Sequence, residues 1–150
     1  MKKRYITIAV LLLLAVLISG CNDLERRKRL ACANDVQFYI INPIHSDGDI
    51  CYDDKGTIDF ILVNQGERDI SGFMFILREE DRSINGTIPT RVGTGGLKSV
   101  MLHLPLKDLV EARRLEVIPK IIYEDEQIEK TEVICWTNKV VRREIGSCYG

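Results

Sequence analysis

Histidine is almost missing from this chain of 150 residues, occurring only as His45 and His103, and tryptophan occurs once, as Trp136. A hydrolytic nucleophile needs a base that a third group orients. His45 stands beside Ser46 and Asp47, but neighbours in sequence do not converge as a triad, and His103 alternates with apolar residues as an exposed strand residue does. No catalytic residue is therefore expected, and the chain does not read as an enzyme. Close cysteine pairs of the Cys-x-x-Cys kind are also lacking, which excludes the usual zinc modules. Excess positive charge is lacking too. The formal net charge is −1, and without Lys2, Lys3 and Arg4 it falls to about −4, so no broad basic face is left for nucleic acid. Sustained helical periodicity, internal repeats and low-complexity segments are missing as well. One acidic stretch, Asp47-Gly48-Asp49 with Asp53-Asp54, has carboxylates around glycine that suit Ca²⁺, but it lacks the EF-hand spacing and its terminal glutamate. A solvated turn is expected there, with an ion site, and hence a ligand- or ion-binding protein serving a transporter or sensor, as the alternative. No cofactor is expected.

What the chain does have begins at its N-terminus. Met1-Lys2-Lys3-Arg4 is a basic head, and Tyr5 to Ile18 carries no charge, which is the layout of a secretory signal. The run is short for a bilayer span, which needs about 20 residues. It closes in Leu17-Ile18-Ser19-Gly20-Cys21, and Ile18-Ser19-Gly20-Cys21 resembles the lipobox of prokaryotic lipoproteins. That resemblance implies cleavage after residue 20 and lipidation of Cys21, with an uncleaved anchor helix as the alternative. Arg26-Arg27-Lys28-Arg29 follows closely, and positive charge on that side disfavours export, with Asp23 and Glu25 offsetting only part of it. Retention inside would leave four further cysteines as idle thiols, so export is the expectation. Residues 21–33 then read as a polar, solvated tether, with contact to anionic headgroups as its alternative role. The expected location is extracytoplasmic, at the cell membrane and lipid-anchored.

Residues 34–150 are enough for one domain with a real core. With Cys21 assigned to lipid, Cys32, Cys51, Cys135 and Cys148 form an even set in an exported chain, and two disulfides follow, with three connectivities open.

Along that domain, Val36–Ile41 is rich in β-branched and aromatic residues and reads as a first strand, stopped by Asn42-Pro43. Thr57–Asn64 places Ile58, Phe60 and Leu62 on one face, with Ile61 and Val63 apolar on the other, as in an interior strand. A polar link at Gln65–Asp69 leads to Phe73–Leu77, and the two runs read as an antiparallel hairpin. Ser83–Arg91, with Pro89, reads as an edge strand at best. After Gly93-Thr94-Gly95-Gly96 comes Leu97–Leu104, then a short helical turn from Pro105 through Leu106, Leu109 and Val110. Leu115–Tyr123 is strand-like around Pro119, which suggests a bulge or an edge position. Thr131–Trp136 is the last clear strand, and Val140–Ile145 a further short one. Asn85-Gly86-Thr87 is an N-glycosylation sequon in an expected loop, a weak surface marker. About seven short strands with almost no helix predict an all-β, antiparallel β-sandwich.

Thr57–Cys135 resembles the Ig-like, CARDB-like modules of prokaryotic surfaces. The matching residues are Val63-Asn64-Gln65-Gly66 ending one strand, Ile70-Ser71-Gly72-Phe73 entering the next, the Gly-rich turn before Leu97–Leu104, and Leu115–Lys120. The resemblance implies binding, spacing or scaffolding rather than catalysis, and a possible cell-surface protein partner beside the membrane itself. In a sandwich of this kind the loop after the first strand and the end of the last share one pole. This favours Cys51–Cys135 with Cys32–Cys148; Cys32–Cys51 with Cys135–Cys148 is the competing arrangement.

Overall fold

The structure is a computed structural model that describes residues 23–42, 50–110, 112–125, 128–143 and 145–148. In chain order its elements are helix α1 (23–35), strands β1 (Phe38–Ile41), β2 (Cys51–Tyr52), β3 (Thr57–Asn64), β4 (Gly72–Arg78), β5 (Ser83–Ile88) and β6 (Leu97–His103), and helix α2 (Leu106–Val110). Then come β7 (Arg114–Asp125), β8 (Ile128–Ile134), a 3-10 turn (Trp136–Asn138), β9 (Val140–Arg143) and β10 (Gly146–Ser147).

Alternation at period two sorts the strands into two sheets that share one apolar interior. In the first sheet β3 is central. β6 runs antiparallel along one side of it, from Thr57↔His103 to Val63↔Leu97. On the other side β1 pairs the end of β3 and β2 its beginning, and β10 lies parallel to β2. The second sheet runs β5-β4-β7, and β8 and β9 follow in tandem along the far side of β7. Ile58, Phe60 and Leu62 of β3 face Phe73, Phe75 and Leu77 of β4 and Leu115, Val117 and Ile121 of β7 in one buried cluster. Phe38 and Phe73 join the sheets with ring centroids 5.4 Å apart. The fold is an all-β sandwich, as the strand pattern predicts, and β5 is the edge strand expected of Ser83–Arg91.

Four expectations are corrected. β3 and β4 do not form a hairpin; the chain crosses from one sheet to the other between them. Asn64 is the reason. Its buried amide donates to the Arg68 carbonyl (2.9 Å) and the Val92 carbonyl (3.2 Å), and its Oδ1 accepts from the Gly66 N–H (3.0 Å). The link is held open as an arch instead of closing as a turn. Gly66 passes so near Asp35 and Gln37 that an added Cβ would lie 2.3 Å from the Asp35 carbonyl oxygen, which excludes any larger residue.

Pro119 sits in the central strand β7, opposite Phe73, neither at an edge nor in a bulge. Its carbonyl accepts from the Cys135 N–H (2.9 Å), so its nitrogen faces the same side, where β8 has ended and β9 has not begun. A missing donor costs nothing at that interruption.

Residues 23–35 are helical, where a polar, solvated tether is expected over residues 21–33. Ala31 and Cys32 are buried and Leu24 packs against the core, so one face of α1 belongs to the domain. The Arg27 guanidinium holds both Asp23 (2.8 Å) and Asp125 (2.9 Å), and Arg68 closes the helix end on Asp35 (3.0 Å).

The disulfides are Cys32–Cys135 and Cys51–Cys148, with Cα atoms 5.3 and 5.0 Å apart. Both expected pairings, Cys51–Cys135 with Cys32–Cys148 and the competing set, are thus replaced by the third connectivity. Docking of α1 brings Cys32 to the end of β8. The chain after β9 leaves the second sheet, and β10 comes to lie beside β2, which brings Cys148 to Cys51.

Candidate functional site

The positions singled out from the sequence scatter. Cys21, His45, Ser46, Asp47 and Asp49 lie outside the described residues. Asp53 does not face outward to an ion. Its Oδ1 accepts from the Thr57 N–H (2.7 Å) and the Lys55 N–H (3.0 Å), and these bonds, with Thr57 foremost, hold the carboxyl below its ordinary range. It caps the turn at Gly56, whose φ of +79° and contact with the Leu104 carbonyl oxygen demand glycine. Among the described residues no three His, Cys, Asp or Glu side chains gather as a metal site would require. His103 lies exposed on β6, its Nδ1 3.0 Å from the Thr57 hydroxyl. Asn85 is exposed on β5, in a strand rather than a loop. Cys32, Cys51, Cys135 and Cys148 are all spent in disulfides.

The titratable cluster that stands out was not flagged by any motif. Glu116, only 1 % exposed, lies in the middle of the second sheet on its outer side. Its carboxylate accepts from Arg78 Nε (2.8 Å) and Lys139 Nζ (3.0 Å) and pairs with the Arg114 guanidinium (2.7 Å). Burial pushes this carboxyl up, but the hydrogen bonds from Arg78 and Lys139 and the charges of Lys139 and Arg114 outweigh it and hold the group below the ordinary glutamate range. One anion bonded by three cations from β4, β7 and the segment before β9 is a structural lock, with no oxygen left to act as an acid or base. Asp69 is a second such tie. Arg91 first, then the Thr94 N–H, depress its carboxyl and join the crossing link to the Gly93 turn.

What remains open to partners is surface. The outer face of the first sheet carries Tyr39, Ile41, Leu97 (70 % exposed) and Met101 (68 %), and Tyr39, Val63 and Leu97 line up across three strands. Among the described residues β6 pairs only with β3, so its outer backbone edge from Leu97 to His103 is unpaired. A second surface is a groove of about 560 Å³ between α1 and the end of β8, floored by the Cys32–Cys135 bridge and walled by Lys28, Arg29, Val133 and Trp136. No helix among the described residues is long and apolar enough to cross a membrane.

No family model, curated protein or solved structure matches the chain.

Proposed function

We propose that the protein is a non-catalytic surface lipoprotein, held to the membrane through Cys21, whose disulfide-stapled β-sandwich serves as an interaction or structural module. The observation that carries this reading is the cysteine balance. Of the five cysteines in the chain, four are closed into two disulfides, and the fifth is the one preceded by Ile18-Ser19-Gly20. Closed disulfides fit an oxidising, extracytoplasmic compartment. The pairing β6-β3-β1 in one sheet and β5-β4-β7-β8 in the other supports the finer Ig-like reading, since it follows the A-B-E and C′-C-F-G order of such modules. The Ig cysteine and tryptophan signature is absent from it, with Trp136 at the surface. The unpaired edge of β6 and the apolar face beside it are suited to an extended segment of a cell-surface protein, which would add as a further strand.

The test is intact mass and localisation in the native host. The mature chain is expected to begin at a lipid-modified Cys21, with the other four cysteines alkylated only after reduction. Cys21→Ser is expected to abolish processing and lipid modification. An unprocessed wild-type chain with free thiols would overturn the reading.

A further inference from the structure

The outward face of α1 carries cationic and apolar side chains together. Arg26, Arg29, Leu30 and Ala33 follow one another at helical spacing and form one stripe, opposite the buried Ala31 and Cys32. Leu30 is 48 % exposed, and Trp136, the sole tryptophan, is 53 % exposed across the groove from Arg29. The neighbouring cations are neutralised: Arg27 by Asp23 and Asp125, Lys28 by Glu25. Among the described residues Arg26 and Arg29 have no ion pair. Two free guanidinium groups, an exposed leucine and an exposed indole are the composition of a surface that lies at a lipid interface, where arginine meets phosphate and tryptophan settles at the headgroup level.

Chain length brings that stripe to the membrane. α1 begins by residue 23, so at most about 7 Å of extended chain separates it from Cys21. The Cys32–Cys135 bond then fixes α1 to the sandwich. A lipid on Cys21 therefore acts on a rigid body and not on a loose leash.

We infer that the α1 stripe with Trp136 docks against the anionic lipid surface that holds the anchor, which sets the sandwich in one orientation above the membrane. This rests on the lipoprotein reading above, and adds that the basic run is a lipid-headgroup contact built into the fold. The lipid holds the chain to the membrane at one point, and a basic surface is the second contact that fixes its orientation.

Trp136 is its own probe. The lipid-modified protein is reconstituted into vesicles of phosphatidylcholine alone and of phosphatidylcholine mixed with phosphatidylglycerol, each with brominated acyl chains. The expected result is blue-shifted, quenched emission on the anionic vesicles only, released by high salt as screened charges require. Arg26→Gln with Arg29→Gln is expected to lower the docked-to-free ratio roughly 25-fold, from about fivefold for each charge removed. Lys98→Gln on β6 is expected to leave it unchanged. Both arginines are exposed, and an unaltered melting temperature checks that the variant is folded; the salt titration of the wild-type protein tests the same point without any substitution. Protein that stays on anionic vesicles with unquenched Trp136 overturns the docking and leaves the anchor standing. Equal quenching on neutral vesicles, or a blue shift that follows protein concentration without lipid, overturns it as well, the latter in favour of a second copy of the chain. An unmodified Cys21 removes the anchor and the docking together.

Discussion

Two buried polar side chains, Asn64 and Glu116, tie together segments that lie far apart in the chain. Asn64 uses both amide hydrogens and its carbonyl on backbone groups of three different residues, at the point where the chain leaves one sheet for the other. Asn64→Ala removes three hydrogen bonds and takes its partner from the Arg68 carbonyl, whereas the Gly66 N–H keeps the Gln37 carbonyl (3.0 Å) and the Val92 carbonyl keeps the Ile70 N–H (3.0 Å). A group left unsatisfied costs on the order of 1–3 kcal/mol, and with one carbonyl unmet the expected loss is about 2 kcal/mol. It is read as a fall in the urea midpoint at constant slope. Less than about 1 kcal/mol would mean that the arch is held by its glycine and by Asp69 instead. Glu116 makes a prediction in pH. Its folded carboxyl titrates below the unfolded value of about 4.3. Its contribution is then fully present above about pH 5 and is lost as pH falls through the folded value. Glu116→Gln leaves Arg78, Arg114 and Lys139 facing one another without the anion. About 2 kcal/mol of destabilisation is expected at pH 7, since the three cations are partly solvated. Thermal melts of the two proteins from pH 7 to pH 3 should converge. A gap that stays constant across that range would show that the loss is one of packing and not of charge.

At the scale of elements, the sequence was legible where local pattern and tertiary contact agree. Ile58, Phe60 and Leu62 alternate and are buried, and Pro105 opens the helical turn that buries Leu109. It was misleading where a distant partner decides. Residues 23–35 are too polar to announce a helix with a buried side, because only Leu24, Ala31 and Cys32 turn inward and the Cys32–Cys135 bond does much of the fastening. Pro119 reads as an edge because proline lacks a donor, yet it is central. The tolerance comes from the gap between β8 and β9, which no window around Pro119 contains. The crossing at Asn64 looks like a hairpin link because its polar, glycine-bearing composition suits either. The hydrogen bonds that distinguish the two run to Arg68 and to Val92, and the latter is 28 residues away. Of the functional surfaces, the basic run was visible as charge. Its pairing with Trp136 needed the fold, since more than a hundred residues separate them.

For the whole molecule the two disulfides behave as one device. Their spans, of 103 and 97 residues, overlap, so each bond is bypassed by the other. With one bond closed, the second completes a ring through the 19 residues from Cys32 to Cys51 and the 13 from Cys135 to Cys148, about 32 in all. Loop entropy then assigns about 4 kcal/mol to the second bond to close, against about 5 kcal/mol for the first. Two consequences follow. The variants Cys32→Ser with Cys135→Ser and Cys51→Ser with Cys148→Ser are expected to lose nearly the same stability, about 4 kcal/mol each, although one bond docks α1 and the other pins β10. Replacing all four cysteines is expected to cost about 8–9 kcal/mol, slightly more than the two pairs summed. That is comparable to the whole stability of a domain of this size, about 5–15 kcal/mol. Guanidinium titrations of the three variants test both points. Equal midpoints for the two paired variants support the entropic ring. A markedly larger loss for the Cys32–Cys135 pair would instead assign the difference to native contacts of α1, and hydrogen exchange over residues 23–35 would then show the helix released while the sandwich stays protected.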